Sequence, residues 1–153
     1  MMKFCSCRTG TVVSTSVVVF LKRIKCSTKL NSLFFSSGSS KVVCSPSTVQ
    51  AHPGQNVVLS CPVEPPSDLT LKTLDWKRGP AFVHVYRSGG DNYDDQDLRF
   101  KNRTILNHQN LKDGIFSLTL TNVDKEDEGT YTLCLRNHDI CSNVTLIVGK
   151  LLF

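Results

Sequence analysis

The chain has 153 residues, of which 40% are hydrophobic and 20% charged, and its formal net charge is +5. This is the composition of an ordinary globular protein with one core, and the length suits one domain with a leader or tail. Six basic residues and no acidic residue fall within residues 1–40, so the remainder is close to neutral and offers no basic surface for nucleic acid.

Residues 1–40 have the features of a poorly formed secretion signal. Basic residues precede a weak apolar run at 12–21, and a short apolar piece at 33–35 is followed by small residues that offer a cleavage site. The first run is too short and too rich in Ser and Thr to cross a bilayer, which takes about 20 apolar residues. We expect residues 1–40 to be a signal-like or disordered leader, or alternatively an N-terminus joined incorrectly to a real domain. We expect residues 150–153 to be a truncated tail, with any membrane anchor outside this chain.

Residues 41–149 consist of short runs of alternating apolar and polar residues separated by turn residues, as in an all-β domain. The predicted strands, in chain order, lie within 41–51, 56–61, 69–78, 81–87, 98–106, 115–123, 130–136 and 142–148. Turns are predicted at 53–55 and 79–80, and a polar loop at 88–97. No stretch of ten or more residues shows helical periodicity over this span. About nine short strands in about 110 residues predict two packed sheets.

The alternation also predicts which side chains form the core. In the second predicted strand Leu59 and Cys61 share one face, and in the third Trp76 shares a face with Leu74. Leu118 has an inward position in the sixth. We expect these side chains to lie between the sheets, where a Trp buries on the order of 200 Å².

Seven cysteines are divided between the two parts of the chain. Three fall in the leader, and the four in the body are Cys44, Cys61, Cys134 and Cys141. An even number in a small β domain predicts a disulfide framework formed in an oxidising compartment. A zinc site built from Cys134, His138 and Cys141 is the alternative, but no second pair of ligands accompanies it.

Five segments of the body carry a resemblance to a known family. They are GQNVVLSC (54–61), LDWKR (74–78), RTIL (103–106), FSLTLTNV (116–123) and DEGTY (127–131). Their order and wording resemble an immunoglobulin V-set domain, nearest to the butyrophilin and myelin oligodendrocyte glycoprotein branch, which includes T-cell costimulatory ligands. The resemblance covers about residues 42–149 and implies a two-sheet V-type sandwich.

The resemblance implies roles for several of these residues. Trp76 would pack against a disulfide that links the two sheets. The hydroxyl of Tyr131 would bond back to nearby backbone at a corner, and Arg103 would form an ion pair with Asp127. All of these contacts would stabilise the fold rather than bind a partner.

The resemblance also favours one disulfide pairing. Joining Cys61 to Cys134 across the sheets leaves Cys44 for Cys141, on strands that lie side by side in V-set topology. The rival arrangement pairs neighbours in sequence, Cys44 with Cys61 and Cys134 with Cys141. It would leave Trp76 without its disulfide, so we expect the first arrangement.

One spacing departs from the family pattern. Tyr131 and Cys134 are three residues apart, so an unbroken strand would point them to opposite faces. We predict a β-bulge at residues 132–134 that returns Cys134 to the core. The alternative is an unbroken strand in which Leu133 takes the inward position and Cys134 points outward, free for Cys141.

No arrangement of residues in the body predicts catalysis or a bound cofactor. Four histidines are scattered along the sequence without the spacing of a catalytic set. The Asp-rich loop at 88–97 lacks the Gly and terminal Glu of an EF-hand, so we interpret it as a solvated loop. We therefore expect no enzyme activity, no cofactor, no metal site and no small-molecule substrate.

The resemblance implies an extracellular recognition domain, secreted or at the plasma membrane, that binds a protein receptor on a lymphocyte and modulates T-cell signalling. V-set relatives most often bind through the sheet with the extra strands and the loops at its end, and Tyr and Arg are favoured interface anchors. The predicted binding face comprises His84, Tyr86, Arg136, Asn137 and His138. The alternatives are a homotypic adhesion module and a truncated fragment without signalling.

Two triplets match the acceptor pattern for N-glycosylation, Asn102-Arg103-Thr104 and Asn143-Val144-Thr145. In a secreted β domain both would lie near strand ends or on exposed faces, so we predict that Asn102 and Asn143 can carry glycans. Such triplets also occur by chance, which leaves an unmodified surface as the alternative.

Overall fold

The computed structural model describes residues 39–149. The predicted tail, and the predicted leader apart from its last two residues, lie outside the described residues. The strands are β1 (Lys41–Val42), β2 (Thr48–Ala51), β3 (Val57–Glu64), β4 (Leu74–Arg78), β5 (Ala81–Arg87), β6 (Gly90–Asn92), β7 (Thr104–Leu106), β8 (Ile115–Leu120), β9 (Gly129–Leu135) and β10 (Ile140–Val148). The short helices are α1 (His108–Leu111) and the 3₁₀ turns Leu98–Phe100, Lys125–Asp127 and Arg136–His138. Within this span no helix has the length and apolar character needed to cross a membrane.

The strands form two sheets, which confirms the predicted all-β sandwich. One sheet has four strands in the order β1-β3-β8-β7, and the other has six in the order β2-β10-β9-β4-β5-β6. Neighbouring strands run antiparallel except β2 and β10, which pair in parallel. Strands β5 and β6 extend the larger sheet beyond β4, where the resemblance implied the extra strands of a V-type domain.

The core lies between the two sheets, and the predicted core residues are confirmed. Leu59, Trp76 and Leu118 are fully buried. The Trp76 indole stacks on Phe116 of the opposite sheet, with ring centroids 6.4 Å apart. Alternation along β3 and β8 places one side chain in two in this core. Burying one large apolar side chain stabilises the folded state by about 1.5–3 kcal/mol.

The corner that precedes β9 has the contacts implied by the resemblance. The Tyr131 hydroxyl donates to the Asp127 carbonyl oxygen at 2.7 Å, inside the core. Two nitrogens of the Arg103 guanidinium contact the Asp127 carboxylate, one of them 3.2 Å from Oδ1. The carboxylate also accepts from the backbone N of Asp124 at 3.0 Å. One side chain, Asp127, therefore joins the start of β7 to the turn before β9.

The expected pairing of Cys61 with Cys134, and of Cys44 with Cys141, is wrong. The disulfide bonds join Cys44 to Cys61 and Cys134 to Cys141. The segment that follows β1 runs on alongside β3, with backbone hydrogen bonds of 3.0 and 3.2 Å on either side of Cys44. This places Cys44 beside Cys61. The disulfide bond of Cys61 therefore lies within the four-stranded sheet and does not link the two sheets.

The predicted bulge at residues 132–134 is also wrong. Strand β9 pairs with both of its neighbours without a register shift. Leu133 is fully buried in the inward position expected for a cysteine. Cys134 points to the opposite face, directly across from Cys141 on β10. A register shift occurs instead between β4 and β5.

Candidate functional site

The described residues contain no group of three or more His, Cys, Asp or Glu side chains placed to hold a metal ion. A surface cavity of about 550 Å³ lies at the corner and is lined by charged side chains. Its arginines, Arg78, Arg99 and Arg103, already donate to protein oxygens. Two other arrangements are candidates for function: a polar network under β5 and β6, and the solvent side of the six-stranded sheet.

His84 and Tyr86 do not lie on a binding face, contrary to the prediction. In the register of β4 with β5, His84 stands opposite Trp76 and Tyr86 opposite Leu74, so both share the core-facing side. Their exposed fractions are 1% and 2%. Because β5 is buried along both faces at its centre, its sequence does not reveal which side meets solvent.

His84 is the centre of a buried polar network. Its Nδ1 lies 3.1 Å from Thr104 Oγ1, and its Nε2 lies 3.0 Å from Asp91 Oδ1. The second oxygen of Asp91 is 3.0 Å from Nε2 of His108, which is exposed. Burial lowers the pKa of His84. Burial alone would raise the pKa of Asp91, but hydrogen bonds from the two histidines outweigh it and lower that pKa.

Tyr86 also makes structural contacts. Its hydroxyl donates to the Thr70 carbonyl oxygen at 2.8 Å, which holds the loop before β4. Its ring meets His108 edge-on, with centroids 5.6 Å apart. Burial raises the pKa of Tyr86. The network and Tyr86 together fasten β5 and β6 to the opposite sheet and to a loop, and they leave no open site.

The outer face, defined here as the side of the six-stranded sheet turned away from the core, is the remaining candidate. Two neighbouring rows of side chains cross it in strand register. The first row is Cys141, Cys134, Asp75, Val85 and Asn92, and the second is Asn143, Thr132, Lys77 and Phe82. Asp75 and Val85 are fully buried, whereas Lys77 and Phe82 beside them stay partly exposed.

Arg136 lies over the centre of the outer face. Its Nε forms an ion pair with Asp75 Oδ2, and its guanidinium carbon is 5.9 Å from the centre of the Phe82 ring. Lys77 Nζ lies 4.5 Å from the same ring. The backbone N of Arg136 donates to the carbonyl oxygen of Thr73, the residue before β4, at 3.0 Å. This bond holds the main chain of Arg136, as the ion pair holds its side chain.

The Asp75 carboxylate fixes Arg136 in place. The Asp75 side chain has no exposed surface, while that of Arg136 is 46% exposed. Burying an ion costs several kcal/mol unless an opposite charge accompanies it, so moving Arg136 away would leave a buried charge. The other carboxylate oxygen, Oδ1, has no hydrogen-bond partner. The ion pair therefore presents one immobilised cation to solvent.

The remaining predicted face residues lie at the tip between β9 and β10. Asn137 and His138 follow Arg136 in a 3₁₀ turn, and Asp139 ends it with a left-handed φ of 49°. His138 is exposed. Of the predicted face residues, Arg136 and His138 therefore lie on accessible surface. His84 and Tyr86 do not, because both are buried.

Sequence reasoning missed Asp75, Lys77 and Phe82 as members of this surface. The signal was available for the first two, because a core-facing Trp76 puts its neighbours in the strand on the opposite face. The position of Phe82 depends on the register shift between β4 and β5, which no local pattern marks.

Both predicted glycosylation sites are exposed. Asn102 lies just before β7 with a positive φ of 60°. Asn143 projects from β10 in the second row of the outer face. A glycan on Asn143 would stand on the candidate surface itself.

Comparison with known proteins agrees with this architecture. The family model of the immunoglobulin V-set domain matches residues 44–144. Myelin-oligodendrocyte glycoprotein of Homo sapiens is 32% identical over 104 residues, covering 67% of this chain and 42% of that protein. V-set domain containing T-cell activation inhibitor 1 of Mus musculus is 31% identical over 112 residues, covering 72% of this chain and 40% of that protein. The chain thus spans about two-fifths of the length of these relatives.

A solved structure shows the same fold. The crystal structure of bovine butyrophilin superposes with a TM-score of 0.69 and 22% sequence identity, covering 74% of this chain and 56% of that one. At this identity the likeness shows a shared fold and carries no residue roles.

Proposed function

Because the chain belongs to the immunoglobulin V-set family, we propose that residues 41–149 are the recognition domain of a butyrophilin-like cell-surface protein. The domain is extracellular, binds a protein receptor on a lymphocyte and modulates T-cell signalling. One relative is named as a T-cell activation inhibitor, which supports the immune part of the proposal. No catalytic role is assigned to the domain.

The immobilised cation on the outer face is the observation that carries this proposal. A side chain held in its bound conformation before association loses less entropy on binding. Arginine and aromatic residues are also the commonest anchors of protein interfaces. Arg136 and Phe82 supply both kinds of group within one patch, and Lys77 adds a second positive charge. The receptor therefore offers acidic or aromatic side chains to this patch.

We also propose N-linked glycans at Asn102 and Asn143. Asn143 lies on β10. The patch contacted by Arg136 includes Lys77 on β4 and Phe82 on β5, and β9 lies between β10 and β4 in the sheet. A glycan there leaves β4, β5 and β6 open, so the receptor approaches from that side of the outer face.

Binding of the tagged full chain to sorted leukocytes, measured by flow cytometry, tests the proposal. Phe82→Ala removes the ring, and Asp75→Asn with Arg136→Gln removes both charges without leaving a buried ion. Each change should weaken binding about tenfold or more, which corresponds to about 1.4 kcal/mol. Ile105→Ala is the matched control, because Ile105 is 61% exposed on the opposite sheet. Its binding should equal that of the unmodified chain.

Failure to bind any leukocyte population would refute receptor recognition. An equal loss in the Ile105 control would show that the outer face is not the contact. Concentration-dependent dimerisation that Phe82→Ala abolishes, measured by analytical ultracentrifugation, would replace the proposal with homotypic adhesion through the same face.

A further inference from the structure

The two disulfide bonds differ in their access to solvent. Cys61 has no exposed surface and Cys44 is 7% exposed, and both belong to the hydrophobic core. Cys141 is exposed and Cys134 is half-buried, in the first row of the outer face. A thiolate in solution can therefore approach Cys141 in the folded domain, whereas it can reach Cys61 only after the sandwich opens.

The pairing of β9 with β10 extends well beyond the exposed bond. Strands β9 and β10 already pair along seven consecutive register positions, from Ile140 with Leu135 to Leu146 with Gly129. The bonded cysteines are only seven residues apart, so the bond closes a short hairpin. Cutting it releases no contact between distant segments, and the packed inward residues of β9 remain in place.

We propose that Cys134–Cys141 is a thiol–disulfide exchange site, opened by a dithiol reductant of the extracellular space. A thiolate of the reductant attacks Cys141 Sγ and forms a new S–S bond there. The old bond breaks with its electron pair on Cys134 Sγ, which leaves as a thiolate. The second thiol of the reductant loses its proton and attacks the mixed disulfide, so the reductant closes its own disulfide and releases Cys141. The two cysteine thiolates released on the domain take up protons from solvent, so the domain gains two electrons and the reductant is oxidised by two electrons.

The surroundings permit a thiolate at Cys134. Its register partner on β4 is Asp75, whose negative charge is offset by Arg136. Arg136 forms its ion pair with Asp75, the register partner of Cys134, so its guanidinium lies on the same face as Cys134. Because Arg136 neutralises Asp75, the carboxylate does not oppose a thiolate at Cys134, and a good leaving thiolate speeds exchange.

Limited reduction of the native full chain tests the assignment. The protein is treated with dithiothreitol at neutral pH without denaturant, samples are trapped with an alkylating reagent, and peptides are mapped by mass spectrometry. Cys134 and Cys141 should be alkylated at least about tenfold faster than Cys44 and Cys61, since exchange follows access. The far-ultraviolet circular dichroism spectrum should stay unchanged. Peptide mapping separates these cysteines from those of residues 1–40.

Two further measurements locate the site. A brief exposure to glutathione should place the mixed disulfide on Cys141 rather than on Cys134. In the Cys134→Ser, Cys141→Ser variant, the bond between Cys44 and Cys61 should remain closed under the same native conditions.

Three results would overturn the assignment. Equal rates for the two bonds would show that access does not distinguish them. Reduction of both only with loss of the folded spectrum would show that exchange requires unfolding. Glutathione on Cys134 would reverse the direction of attack.

Discussion

The corner at Tyr131 and the strand at Tyr86 contain the same contact in two settings. In each, a buried tyrosine hydroxyl donates to a main-chain carbonyl oxygen, at 2.7 Å to Asp127 and at 2.8 Å to Thr70. The family resemblance implied the first contact correctly, whereas it placed Tyr86 on a binding surface. The partners at the corner are four residues apart in the chain, whereas those of Tyr86 are 16 apart.

The difference teaches where a sequence pattern is sufficient. The corner is formed within one turn and its motif contains both partners of the hydrogen bond. The side of β5 that faces the core depends on its register with β4 and on what the opposite sheet covers. A strand buried on both faces carries no alternation that could reveal this.

Removing Asp127 should have the largest effect on either region. Asp127→Ala breaks a mostly buried ion pair and a backbone contact, so we expect a loss of about 3 kcal/mol in the free energy of unfolding. Urea denaturation measures it. Asp95→Ala is the control, because the pair of Arg87 with Asp95 is exposed and should contribute less than about 0.5 kcal/mol. A loss of similar size in both variants would show that the buried ion pair at the corner stabilises the fold no more than an exposed pair does.

The two tyrosines should respond alike to loss of the hydroxyl. Tyr131→Phe and Tyr86→Phe each remove one buried hydrogen bond, so each should reduce the free energy of unfolding by about 1 kcal/mol. Thermal or urea denaturation provides the comparison, and leukocyte binding of Tyr86→Phe should be unchanged. A Tyr86→Phe variant with normal stability and lost binding would show that Tyr86 belongs to the binding face.

The smallest expected effect is a pH dependence of the free energy of unfolding. It comes from His84 on β5 and has no counterpart at the Tyr131 corner. Burial lowers the pKa of His84 below its ordinary 6.5, so the unfolded chain gains this proton at a higher pH than the folded chain. Stability should therefore fall as the pH drops through 6.5, by at most about 0.8 kcal/mol between pH 7.5 and 6.0.

Urea denaturation at both pH values measures this difference. His84→Asn should show a smaller fall in stability over the same interval, because the other histidines remain in both proteins. A fall of the same size in the variant would show that His84 does not contribute.

The cysteines show the same limit of local reasoning as Tyr86. That four cysteines form two bonds followed from their number, and both bonds are present. The pairing did not follow, because the family pattern requires Cys134 in the core whereas strand parity turns it to the outer face. Tyr131 and Cys134 are three residues apart, and the unbroken strand β9 puts them on opposite faces as parity alone requires.

The sequence by itself determined the all-β sandwich and the inward face of Trp76, because alternation acts between residues close in the chain. The contacts of the corner at Asp127 were implied by the family resemblance, since the ion pair joins residues 24 apart. Only the tertiary structure decided that Cys44 reaches Cys61, that His84 and Tyr86 face inward, and that Arg136 covers Asp75. Each of those outcomes depends on which strands become neighbours and in which register. Register is set by the packing of the whole core, and a shift of one residue moves every side chain of a strand to the other face.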